Sequence, residues 1–183
     1  MAMHIDRRGI LTGISGLGLA TWLHGQLPEA NRTGPPALRP VHRYYDAPNI
    51  VHFLTCNPRA ETQQRMRPMQ YAGIECFIFS EPGRDRAPFD RHRNPKGGFF
   101  YEATGSWLMP RGNRRRGSFE LTMGYVSTVP GRRFVAFHEW FHPQADRYFY
   151  TVDPTGEKAG ELGYKYQGVV GYVVPGPNRL IGF

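Results

Sequence analysis

The sequence predicts an all-β fold: a closed, β-trefoil-like body of three repeats of about 48 residues. Three observations lead there. The 183 residues include 22 Gly and 16 Pro, which disfavour long helices and make turns frequent. The segment Phe53-Leu54-Thr55-Cys56-Asn57-Pro58 returns 96 residues later as Phe149-Tyr150-Thr151-Val152-Asp153-Pro154. Each repeat also shows about four short apolar or aromatic runs between Pro, Gly and Asx turns, a strand pattern.

Around that skeleton the repeats align in order. Tyr44-Tyr45 matches Trp140-Phe141, and Tyr71-Ala72-Gly73-Ile74 matches Tyr166-Gln167-Gly168-Val169. A fainter middle copy holds His92-Arg93-Asn94-Pro95, Phe100-Tyr101, Phe119 and Gly124-Tyr125-Val126, so that the closing motif begins at 76, 124 and 171. Strands are expected near 41–46, 50–56, 69–79, 98–103, 119–127, 134–142, 147–152 and 164–174. Closure protects strand edges, and three blades are too few for a propeller ring.

Residues 1–40 read differently from the 41–183 domain. Arg7-Arg8-Gly9-Ile10-Leu11 precedes a weakly apolar, Gly-rich run ending near Trp22, followed by a Pro-containing leader. This resembles the bacterial twin-arginine signal family, although Asp6 and Thr12 depart from its commonest residues. The resemblance implies export to the periplasm or cell exterior. There Cys56 and Cys76, the only cysteines, are candidates for one disulfide; two buried thiols are the alternative.

The repeats also carry a resemblance. His42-Arg43-Tyr44-Tyr45-Asp46 with His52-Phe53-Leu54-Thr55, and Tyr148-Phe149-Tyr150-Thr151 with Tyr166-Gln167-Gly168-Val169-Val170-Gly171-Tyr172-Val173, are similar to a repeat of unknown function in secreted bacterial and fungal proteins. That resemblance implies an extracellular accessory domain with no activity or cofactor to inherit.

Charge and motifs then narrow the chemistry. Lys plus Arg exceed Asp plus Glu by 23 to 15, a net +8, and 20 of those cations are Arg. Apart from Arg111, Arg114, Arg115 and Arg116 they are scattered, which argues against a nucleic-acid face. No run of 18 apolar residues exists to span a membrane as a helix. His138-Glu139-Trp140-Phe141-His142 fits the zinc motif H-E-x-x-H, but that chemistry needs a helix. Pro143 and the aligned segments 42–46 and 90–94 point to a strand entering a turn instead, so no metal is expected. Asp46, Glu75, Glu139 and Asp146 are carboxylates available for glycosidase chemistry, with no spacing that selects a pair. Neither a G-x-S-x-G elbow nor a Gly-rich phosphate loop occurs, so no catalytic residue and no cofactor are assigned.

What remains is the aromatic and polar content around each first turn: Tyr45, Asp46 and His52; His92 and Asn94; Trp140, His142, Asp146 and Tyr148. Rings that cover a sugar's C–H face beside groups that bind its hydroxyls suit glycan recognition. The expected function is therefore an exported, non-catalytic module for glycans or other cell-surface material, with the third repeat the best binder. A trefoil that docks on or inhibits a protein, through Arg111–Arg116, and a secreted hydrolase are the alternatives.

Overall fold

The computed structural model describes residues 36–61, 69–105 and 117–177. The paired arginines of the amino terminus and the Arg111–Arg116 cluster lie outside these described residues.

The all-β expectation holds. Nine antiparallel strands pair in one sheet: β1 (Leu38–Asp46), β2 (Val51–Thr55), β3 (Gln70–Phe79), β4 (Arg86–Arg93), β5 (Phe99–Ala103), β6 (Ser118–Ser127), β7 (Val135–His142), β8 (Arg147–Thr151) and β9 (Lys165–Pro175). All eight expected segments fall on strands. The ninth, β4, has the sequence Arg-Ala-Pro-Phe-Asp-Arg-His-Arg and no apolar run of its own; only alignment with the other repeats reaches it. Its charges are neutralised in place. Asp90 accepts hydrogen bonds from Thr104 and Thr122, and the fully buried Arg91 meets Glu61 and Glu120 at 2.9 Å each.

The chain pairs with itself by one scheme three times. β1 joins β2 through a hairpin and β3 on its other side; β4 does the same with β5 and β6, and β7 with β8 and β9. The registers repeat as well, since Val41 faces Cys76, Phe89 faces Gly124 and Phe137 faces Gly171. Bulges follow Val41, Phe89 and Phe137, and again Arg43, Arg91 and Glu139. Each repeat has three strands among the described residues, where the sequence pattern suggested four runs. After β2 and β8 the Asx-Pro pairs Asn57-Pro58 and Asp153-Pro154 instead open a helical turn (Pro58–Glu61) and a 3-10 segment (Gly156–Leu162).

The third strands tie the repeats together. Phe79 pairs with Tyr125, Ser127 with Tyr172, and Phe77 and Cys76 with Val174 and Pro175. The hairpin tips converge on Arg147. Its guanidinium donates to the carbonyls of Asn49 in the first tip, Lys96 in the second, and Ala145 and Asp146 in its own. Gly98 lies against that side chain with φ +75°, and a Cβ there would stand 3.3 Å from the Arg147 Cδ. Beneath, one apolar core draws equally on the repeats: Val41, Phe53 and Ile78; Phe89, Tyr101 and Val126; Phe137, Tyr150 and Val173. Cys76 belongs to this core, and both cysteines are present as free thiols.

Candidate functional site

A cleft of about 350 Å³ opens between the first and third repeats, near the lower end of the range of roughly 300–1,000 Å³ usual for small-molecule sites. The β1–β2 hairpin supplies one wall through Tyr45, Ile50 and His52, and β3 adds Ala72. The third repeat supplies His142, Phe149, Tyr164 and the 3-10 segment, from which Gly156, Glu157, Ala159 and Leu162 line the space. The second repeat contributes nothing to the lining.

Local sequence explains this geometry. The first hairpin tip closes with Ile50 at φ 53°, a left-handed conformation that strains a β-branched residue. The same position is Gly98 in the second tip and Asp146 in the third. That turn aims Ile50 at the small apolar cluster of Phe149, Ala159 and Tyr164, which forms the floor with Trp140 behind it. Gly156 is required there: at φ +70° it lets the Trp140 ring approach so closely that a Cβ would lie 2.4 Å away.

An ion-pair triad holds the base. Arg43 donates two parallel hydrogen bonds to Glu157, at 2.8 and 3.0 Å, and its Nη1 also lies 3.1 Å from the buried Glu75. Burial opposes the charge on Arg43, but its hydrogen bonding to Glu157 and the two carboxylate charges outweigh it and raise the guanidinium pKa. Glu157 and Lys158 both adopt positive φ, 51° and 68°. Arg43 and the Thr151 hydroxyl, 2.7 Å from Glu157 Oε1, anchor this strained corner.

The imidazole of His52 is sandwiched, with ring centroids 4.5 Å from Tyr45 and 4.6 Å from Phe149. Burial, reinforced by the Arg43 charge and only partly offset by Glu157, lowers its pKa to about 3, so it is neutral at physiological pH. Burial pushes the Tyr164 phenol up to about 12, which keeps its proton in place. His52 Nδ1 and Tyr164 Oη are both shielded from solvent without a hydrogen-bond partner, each at a cost of about 1–3 kcal/mol. A ring-walled cleft lined by an uncharged imidazole and a protonated phenol suits a neutral ligand bearing hydroxyl or amide groups.

Of the nine residues expected to bind, the structure brings Tyr45, His52 and His142 to the cleft. Trp140 supports it from behind, half-buried against Gly156 and 5.2 Å from Tyr166. Asp46 is buried at the end of β1, where it accepts a 2.7 Å hydrogen bond from Asn49. The others lie away from the cleft. Asn94 donates to the Asp146 carbonyl, Asp146 faces Lys96 at 3.6 Å, Tyr148 packs on Phe141 and Phe100, and His92 stacks on Phe100. None of Asp46, Glu75, Glu139 or Asp146 lines the cleft. The H-e-x-x-H segment is strand β7, in which Ala145 N–H donates to His142 while His138 contacts the Tyr166 hydroxyl. Sequence reasoning passed over Arg43, Ile50, Glu157 and Tyr164 as site residues. Their signal was spacing: Arg43 and Arg91 are 48 residues apart, and their partners Glu157 and Glu61 are 96 apart.

No family model matches the chain, and comparison with curated proteins and with solved structures returned no match.

Proposed function

We propose that the chain is an exported, non-catalytic binding module that recognises glycans or other cell-surface material, built on a trefoil-like arrangement of its three repeats. The observation that carries the binding reading is the ring-walled cleft itself, with the uncharged side chains of His52 and Tyr164 in its lining. Phe149 and Tyr164 wall the cleft from buried positions, while the half-buried Tyr45 ring offers apolar surface for the C–H face of a sugar and the half-buried His142 a polar edge for its hydroxyls. The volume suits a terminal or single sugar unit. The 48-residue recurrence of register and bulge supports the threefold reading. The amino-terminal Arg7-Arg8 motif supports export; Arg7→Lys with Arg8→Lys is expected to retain the protein in the cytoplasm, and unchanged delivery would remove that part of the proposal.

Calorimetry against a panel of mono- and disaccharides tests the cleft. Binding is expected for the wild type, and His52→Gln, His142→Ala and Tyr164→Phe should each weaken it by roughly tenfold, the equivalent of about 1.4 kcal/mol. Folded variants that bind as tightly as the wild type would exclude this cleft.

A further inference from the structure

Six large apolar side chains are exposed among the described residues, and three of them occupy one and the same position of the three repeats. Tyr71 faces Tyr44 across β1 and β3, Phe119 faces His92 across β4 and β6, and Tyr166 faces Trp140 across β7 and β9. These rings are 55%, 58% and 49% exposed, which is too open for core residues and too regular for accident.

We infer that Tyr71, Phe119 and Tyr166 are three equivalent stacking platforms that hold a neutral polysaccharide chain at several points at once. The inference rests on the glycan-binding reading and adds to it the form of the ligand, a polymer in addition to a single unit in the cleft.

Each exposed ring is backed by a second ring at a fixed distance: Tyr44 at 5.1 Å, His92 at 5.8 Å and Trp140 at 5.2 Å. Such backing orders the platform before binding, so little entropy is lost on contact. Two platforms carry a matching polar edge. His42 Nδ1 lies 3.1 Å from the Tyr71 hydroxyl, and His138 Nδ1 lies 3.1 Å from the Tyr166 hydroxyl. Burial lowers the pKa of both imidazoles, so these edges are uncharged at neutral pH and suit a hydroxylated, neutral ligand. A protein partner would favour a contiguous apolar patch. Here each ring stands alone, between Gln70 and Ala72, Ser118 and Glu120, or Lys165 and Gln167. Three separate contacts in one domain match a chain that repeats its own units, with avidity gained from each further contact.

The test is retention of the full chain on insoluble cellulose, chitin and β-1,3-glucan, beside calorimetry with the matching disaccharides. At least one polymer should retain the wild type. Each of Tyr71→Ala, Phe119→Ala and Tyr166→Ala should weaken retention, and the triple variant should lose about 10²–10⁴-fold in apparent affinity while its cleft still binds the disaccharide. Tyr71→Phe and Tyr166→Phe keep the ring, as Phe119 does naturally, and should retain most of the binding; they also control for folding. Retention of the triple variant at wild-type strength, or no retention of the wild type on any polymer, overturns the inference. So does a wild-type dimer in light scattering that the triple variant abolishes, because the rings would then contact a second copy. A cleft that ignores disaccharides while polymer retention still depends on the rings would refute the cleft reading alone.

Discussion

The phenolic oxygen of Tyr101 lies 2.7 Å from the amide nitrogen of Leu54 and 3.1 Å from its carbonyl oxygen, so one hydroxyl satisfies both backbone groups of a strand in another repeat. Tyr150 repeats the arrangement one step on, 2.8 Å from the Tyr101 amide and 2.9 Å from its carbonyl. Both phenols are fully buried, where no water can replace them. Tyr101→Phe and Tyr150→Phe remove a single oxygen each; the first leaves the Leu54 amide unpaired while its carbonyl keeps the Arg91 guanidinium, the second takes the phenol from both the Tyr101 amide and carbonyl, at a cost of about 1–3 kcal/mol per variant. Denaturant unfolding should show the loss in the midpoint with an unchanged slope; a midpoint equal to the wild type would mean that these bonds contribute nothing net.

The Arg43–Glu157 pair restrains two residues at positive φ, so neutralising it should loosen the 3-10 segment more than the sheet. Glu157→Gln is expected to speed amide hydrogen exchange across 156–162 while β1 and β7 keep their protection. Uniform acceleration across all strands would show instead that the pair supports the whole fold. Removing the cation at the corresponding place in the second repeat is more severe. Arg91→Ala leaves Glu61 and Glu120 without their shared partner and should cost about 3–5 kcal/mol.

Acid should destabilise the fold through His52. Its folded pKa, about 3, is below the unfolded value of 6.5, so the unfolded chain binds the proton first as pH falls. The stabilisation is complete above pH 6.5 and is lost progressively on acidification toward pH 3. His42 and His138, shifted downward as well, act in the same direction. Melting temperature measured against pH should fall in that window, and more shallowly for His52→Gln. Parallel profiles for variant and wild type would remove His52 as the cause.

Thiol chemistry offers a fourth check. Burial pushes the Cys56 thiol up to about 12 and also raises that of Cys76, which is wholly enclosed. A thiolate-seeking reagent should therefore react slowly with native protein and label both cysteines once it is unfolded. Rapid labelling in the native state would contradict the burial described for this pair.

The strands were legible because spacing survives when residue identity does not: Val41, Phe89 and Phe137 stand 48 residues apart, each beside a bulge. Tyr45, His52 and His142 were legible in the site because rings and imidazoles beside a turn are poor choices for a surface with no ligand. The buried cations were not. Arg43 and Arg91 look like surface residues when their own neighbours are read, since the carboxylates that admit them to the interior are distant in sequence: Glu75 and Glu157 for Arg43, Glu61 and Glu120 for Arg91. Asn94 and Asp146 misled for a related reason. The polar groups that suit a sugar also suit a hairpin tip, and these two serve the tip, Asn94 by binding the Lys96 amide and the Asp146 carbonyl.

The pairing of Cys76 and Phe77 with Pro175 and Val174 has a consequence for how the chain acquires its structure. It joins residues nearly a hundred positions apart. Repeats stacked in a line can fold one after another, each on its neighbour. Here the first repeat meets the second only at Phe79 and Tyr125 and lacks its β9 partner until the third is complete, so the domain should form in a single cooperative step. With so many distant contacts that step belongs to the slow range of small domains, about milliseconds to seconds.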